Sequence, residues 1–233
     1  MPLPWPALVF AGSASVLLTL LARAALLRAP LRADSQHRAA SSLASVGVLA
    51  CASLLGRHGL AYGCATLFGH MLADLASCAL LGPATSPLML AHHAVTMFLT
   101  GQGLVQLHRD APALRAMLAN AASVLLWMEA TNPFLHACTL VGAEAALAPL
   151  RPVVLPAGAL GLLASFLAFR VLALPRLLPS IWRFRAELAP LGEAYCAVVA
   201  ALAALQWWWF YKICAKVWRD ARRVPAGAAP DKP

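Results

Sequence analysis

Long runs of apolar residues, broken only by short polar or basic joints, occupy nearly the whole chain. They extend over Ala7 to Leu27, Ala39 to Gly56, Gly59 to Gly82, Ser86 to Leu107, Ala113 to Val141, Pro152 to Leu178 and Leu191 to Val217. A membrane-crossing helix needs about 20 mostly apolar residues. A bilayer admits only helices or closed barrels, because no water is present to satisfy backbone N–H and C=O groups. Barrel strands would alternate over about ten residues, whereas these runs are longer and apolar on every face. The pattern predicts an all-α, polytopic membrane protein with about seven transmembrane helices. The second run, fenced by Arg38 and Arg57, is the shortest. The first could be a cleaved signal peptide, since small residues near Ser13 and Ser15 would suit a peptidase. It is read as a retained helix, because no positive charge precedes it and it is longer than a signal core.

Composition agrees with this pattern and narrows it. The 233 residues are 61% apolar and 12% charged, with a mean hydropathy of +0.74. A soluble domain has roughly 45–50% apolar and about 25% charged residues. A disordered chain, a collagen-like chain and a small disulfide scaffold are excluded, and no length remains for a second, soluble domain. The expected organisation is an N-terminal helix with a basic loop at 1–33, a six-helix membrane domain at 34–220, and a disordered basic tail at 221–233, Pro/Ala-rich from Val224 onward.

The net charge of +9 sits beside the apolar runs, where it orients the protein and meets anionic headgroups. No soluble basic face is present for nucleic acid. One set of span ends carries Arg23, Arg28, Arg32, Arg38, Arg151, Lys212, Lys216, Arg219, Arg222, Arg223 and Lys232. The opposite set carries Arg57, Arg109, Arg115, Arg176, Arg183 and Arg185. The excess predicts a cytosolic C-terminus. The cysteines (Cys51, Cys64, Cys78, Cys138, Cys196, Cys214) all lie in apolar runs without a CxxC pair, and read as small packing residues.

Polar groups inside such runs are expensive and mark candidate sites. On the third run His70 and Asp74 stand four apart, on one face. The fourth holds His92 and His93, with Thr96 and Thr100 below them. The fifth holds Glu129, Asn132 and His136 on one face, and the sixth holds Arg170. At 1.5 Å per residue, Asp74 lies ~12 Å, His92 ~9 Å and Glu129 ~18 Å from the same membrane face, the last figure being for a helix not kinked by Pro133. Three helices thus bring ionisable groups into one half of the bilayer, which predicts a polar cavity opening toward the cytosolic leaflet. The plainer reading is that these side chains only glue helices together.

Adjacent histidines point ~100° apart and do not readily chelate one metal, so no metal site is predicted. A neutral imidazole beside a carboxylate is instead a general base, or a histidine that carries an acyl group. The chemistry that fits is acyl transfer to a lipid amine.

Several stretches together resemble the TLC membrane family, which includes the ceramide synthases. They are Gly69-His70-Met71-Leu72-Ala73-Asp74-Leu75, Leu88-Met89-Leu90-Ala91-His92-His93-Ala94-Val95-Thr96, Glu129-Ala130-Thr131-Asn132-Pro133-Phe134, Phe169-Arg170-Val171-Leu172 and Trp209-Phe210-Tyr211-Lys212-Ile213-Cys214. They look most like the smaller TLC domain-containing proteins, subfamily three first and subfamily five as its rival. The resemblance implies six helices bundled around a lipid-accessible cavity, with one extra N-terminal helix. It implies transfer of a fatty acyl group from acyl-CoA to a sphingoid base, with His92, His93 and Asp74 at the family's motif positions; Glu129 is read as catalytic with them, and the other polar groups of the runs, His70, Thr96, Asn132, His136 and Arg170, as binding substrate. The alternative is a non-catalytic lipid-binding regulator of membrane composition. The chain departs from the synthases in having the single carboxylate Glu129 where they carry paired aspartates. No cofactor is expected beyond acyl-CoA as substrate. Membrane lipids are the expected partners, with a homodimer among the open assemblies. The endoplasmic reticulum is the expected membrane, with Golgi and plasma membrane open.

Overall fold

Within the described residues the apolar runs fold as helices. The computed structural model describes residues 45–50, 56–81, 87–106 and 111–223, with single positions 13, 39 and 43. The first run, most of the second, Cys51, and the tail from Val224 lie outside the described residues, as does the side chain of Cys78. Within the second run, 45–50 is helical. The third and fourth runs form α1 (Gly56–Leu81) and α2 (Pro87–Gln106). The fifth is split into α3 (Pro112–Met128) and α4 (Thr131–Ala143). A 3-10 turn (Ala145–Leu150) leads into α5 (Arg151–Ser165), a π-helical stretch (Phe166–Ala173), a second 3-10 turn (Pro175–Leu177) and α6 (Leu178–Arg183). The last helix, α7 (Gly192–Arg223), takes in the first three residues of the expected tail. No strand occurs among the described residues.

Prolines explain the changes of helix type. Pro133 has no N–H to offer the carbonyl four residues back, and its ring crowds that carbonyl. The chain accordingly turns at Glu129 and Ala130, whose amides bond instead to the Leu126 and Trp127 carbonyls at 3.0 Å. Pro149, Pro156 and Pro175 fall in the next stretch. Just before the π-helix, Ser165 Oγ donates to the Gly161 carbonyl at 2.7 Å. Such back-bonding bends helices.

Among the described residues, two helical stretches are long and apolar enough to cross a membrane, Ala145–Arg183 and Gly192–Arg219. Only 33% and 28% of their apolar windows are buried within the protein. Val153 and Leu160 are each 71% exposed, and Trp182, Trp207, Trp208 and Tyr211 also face outward. The core helix of a soluble protein is mostly buried. These helices turn apolar side chains outward, which suits lipid tails.

Helices α1 and α2 pack as a hairpin, α3 lies against both, and α7 touches α2, α6 and the π-helix. The hairpin of α4 and α5 is close because α5 offers glycines. A Cβ at Gly158 would lie 2.5 Å from Cys138 Sγ, and one at Gly161 2.5 Å from Phe134 Cε1. Small residues of this kind let membrane helices approach. One apolar core joins α2, α3, α6 and α7 through Leu99, Leu118, Leu125, Ile181, Val199 and Leu202. A second joins 45–50, α1, α2 and α3 through Val48, Leu67, Leu104 and Leu126. Cys64, Cys138, Cys196 and Cys214 are unpaired thiols.

Candidate functional site

The break in the fifth run creates half of the site. Without an N–H on Pro133, the Glu129 carbonyl accepts from the Asn132 amide at 3.1 Å. In an unbroken helix that amide would have served the Met128 carbonyl. Met128 instead accepts from Thr131 Oγ1 at 2.9 Å and from the Arg170 guanidinium, Nη2 at 2.9 Å and Nε at 3.2 Å. Arg170 comes from the π-helix and is buried. Its Nη1 donates to Gln206 Oε1 on α7 at 3.2 Å, and its Nη2 reaches Asn132 Oδ1 at 3.3 Å. Its guanidinium also lies 5.3 Å from the Phe166 ring.

Glu129 sits in the turn and is buried. Its Oε2 accepts from Ser45 Oγ and from Asn132 Nδ2, each at 2.8 Å. Asn132 therefore bridges the carboxylate and the guanidinium, donating to one and accepting from the other. Glu129 is also within Coulombic reach of Arg170 and of His93.

The second half of the site crosses the α1–α2 hairpin. His93 Nε2 lies 3.6 Å from Asp74 Oδ2, and both side chains are buried. His93 Nδ1 is also buried and has no hydrogen-bond partner among the described residues. His92 points elsewhere, as the helical geometry of adjacent residues requires. Its ring meets the Trp209 ring of α7 edge-on, centroids 5.3 Å apart, and lies 5.9 Å from the His93 ring.

The other expected residues are placed as follows. His70 is buried one turn before Asp74. Thr96 donates to the His92 carbonyl at 2.9 Å, so its proton is used within its own helix. His136 is half-buried on α4, four residues beyond Asn132. The polar set is thus two groups within electrostatic reach of each other, Asp74, His93 and His92 from α1 and α2, and Glu129, Asn132 and Arg170 from the α3–α4 turn, α4 and the π-helix. Among the described residues no group of three or more His, Cys, Asp or Glu side chains is arranged to hold a metal.

Ser45, Gln206 and Trp209 were not among the expected site residues. Gln206 had a signal, as a lone amide in the run from Cys196 to Trp209, where polar groups are expensive. Ser45 had none, because serine is common between membrane helices. The tryptophans at 207 to 209 look like interfacial anchors in sequence. Trp207 and Trp208 are exposed as such anchors would be, but Trp209 is partly covered and turned to His92.

A helical bundle with an apolar exterior and a hydrogen-bonded ionisable interior defines the class, an integral membrane protein with a polar site enclosed among its helices. Residues 50–215 match the TLC domain of the TRAM, LAG1 and CLN8 family, and the chain belongs to that family. That membership carries a membrane lipid-related function. No curated protein and no solved structure matches the chain at a significant level.

Proposed function

We propose that the protein is a lipid N-acyltransferase that moves a fatty acyl group from acyl-CoA to the amine of a sphingoid base. The observation that carries this reading is the buried approach of His93 Nε2 to Asp74 Oδ2 at 3.6 Å. A carboxylate beside one ring nitrogen fixes the tautomer with the proton on that nitrogen, which leaves the Nδ1 lone pair as the base. The separation is longer than a good hydrogen bond, and catalytic contacts commonly tighten only when substrate is bound. The amine nitrogen attacks the thioester carbonyl, His93 Nδ1 takes the amine proton, the C–S bond breaks, and the proton passes to the CoA sulfur. Glu129, held by Ser45 and Asn132, supplies a second negative charge that favours the imidazolium. His92, His70, Thr96, His136 and Arg170 position the substrate or the helices around it, and the acyl chain lies among the apolar helices in a cavity open to the bilayer. The endoplasmic reticulum, a cytosolic C-terminus and a homodimer are part of the same proposal.

A second reading has its own observation. Arg170, Asn132, Glu129 and Gln206 fasten a broken helix, and a fixed polar lining of that kind also serves a non-catalytic lipid-binding regulator. Purified protein given palmitoyl-CoA and sphinganine separates the two. N-acyl product from the native chain, absent with His93→Ala, supports the transferase. Tightly held lipid with no turnover supports the regulator.

A further inference from the structure

Gln206 is fully buried (0% exposed) on α7, and the two ends of its amide are in different situations. Oε1 accepts from Arg170 Nη1 at 3.2 Å. A guanidinium carries only donors, so the amide cannot flip its nitrogen into that place. Arg170 is pinned in turn by the Met128 carbonyl. The amide is therefore locked with Nε2 turned away from Arg170. Among the described residues that buried nitrogen has no hydrogen-bond partner. An unmade donor in such a place is a standing destabilisation, and each one in a native fold calls for an explanation. Its surroundings supply one. Trp209, three residues on, shares a face of α7 with Gln206, and its ring meets His92. Nδ1 of His92 is likewise buried and unpartnered among the described residues.

We propose that Gln206 binds lipid, Nε2 donating a hydrogen bond to the carbonyl oxygen of a long-chain acyl group lodged beside His92. The ligand class is acyl lipids that carry a carbonyl, whether thioester, ester or amide, in preference to bare hydrocarbon. The inference rests on the polar layer being a lipid site, as proposed above, but not on turnover there. An uncharged amide suits a neutral carbonyl oxygen, and the lock imposed by Arg170 presets the donor direction.

The test measures binding and not activity. Full-length protein in detergent is labelled with a photoactivatable palmitoyl amide and with a matched hydrocarbon probe that lacks the carbonyl. The native chain binds the amide about tenfold more tightly than the hydrocarbon, as one buried hydrogen bond allows. Gln206→Leu binds both probes alike. Gln206→Glu, which keeps an acceptor for Arg170 and a similar shape, also loses the preference, and it decides the matter if the leucine variant does not fold. A native chain without preference assigns Nε2 to a buried water and overturns the proposal, as does a preference that survives in the glutamate variant. Preference without acyl transfer sinks the transferase reading alone.

Discussion

Asp74 on α1 and His93 on α2 bring Oδ2 and Nε2 to 3.6 Å across a helix hairpin, both side chains buried. Each group alone would be expensive in a membrane interior. Together they orient one imidazole. Asp74→Asn keeps the shape and removes the charge that fixes the tautomer. On the proposed transferase reading, steady-state rates with palmitoyl-CoA and sphinganine are expected to fall about 10²-fold or more for Asp74→Asn and for His93→Ala, the scale of a lost general base. An Asp74→Asn variant of native rate would remove Asp74 from the proposed mechanism.

Arg170 ties the π-helix to the Met128 carbonyl and to Gln206. Arg170→Met leaves that carbonyl with Thr131 Oγ1 as its remaining donor and takes away the donor to the Gln206 amide oxygen. Hydrogen bonds to charged groups are worth about 1.5–3 kcal/mol, and a loss of that order is expected in detergent unfolding. Arg170→Lys recovers only part, since an ammonium cannot present Nε and Nη2 to one oxygen in a fixed fork. Equal stability of the lysine variant and the native chain would contradict the geometry.

Gly63 of α1 faces Leu126 of α3, which is fully buried; a Cβ at 63 would lie 2.7 Å from Leu126 Cδ1. Gly63→Leu overpacks this contact at a cost of about 1–3 kcal/mol, against about 1 kcal/mol regained in helix propensity. Leu126→Ala alone opens a cavity at about 2–5 kcal/mol. The double variant is expected to be more stable than the sum of the two, because each change relieves the other. Strict additivity in thermal melts would place the residues apart.

The basic residues Lys212, Lys216, Arg219 and Arg222 follow the apolar part of α7. Positive residues beside a span are retained on the cytosolic side. A glycosylation acceptor fused after Pro233 is expected to stay unmodified in cells, and protease added to intact microsomes is expected to remove it. Glycan on the tag would reverse the orientation.

Much of the helical architecture was legible in sequence. Apolar runs of spanning length dictate helices wherever backbone groups must bond to one another; α1 and α2 begin and end within a few residues of their runs, and α7 begins within one residue of its run and extends six beyond it. The proline after Asn132 warned of a kink in the fifth run, which the fold resolves as a turn at Glu129. The spacing of His70 with Asp74, and of Glu129 with Asn132, placed each pair on one face because a helix repeats every 3.6 residues.

Pairing between helices was another matter. Sequence left either histidine able to meet either carboxylate, and left the partner of Arg170 open. The tertiary structure decided that His93 meets Asp74, that His92 meets Trp209, and that Arg170 answers a carbonyl set free by Pro133. Local periodicity fixes which residues share a face. Which face meets which depends on helix rotation and depth, set by contacts such as Gly63 with Leu126 and Gly161 with Phe134, between positions far apart in the chain.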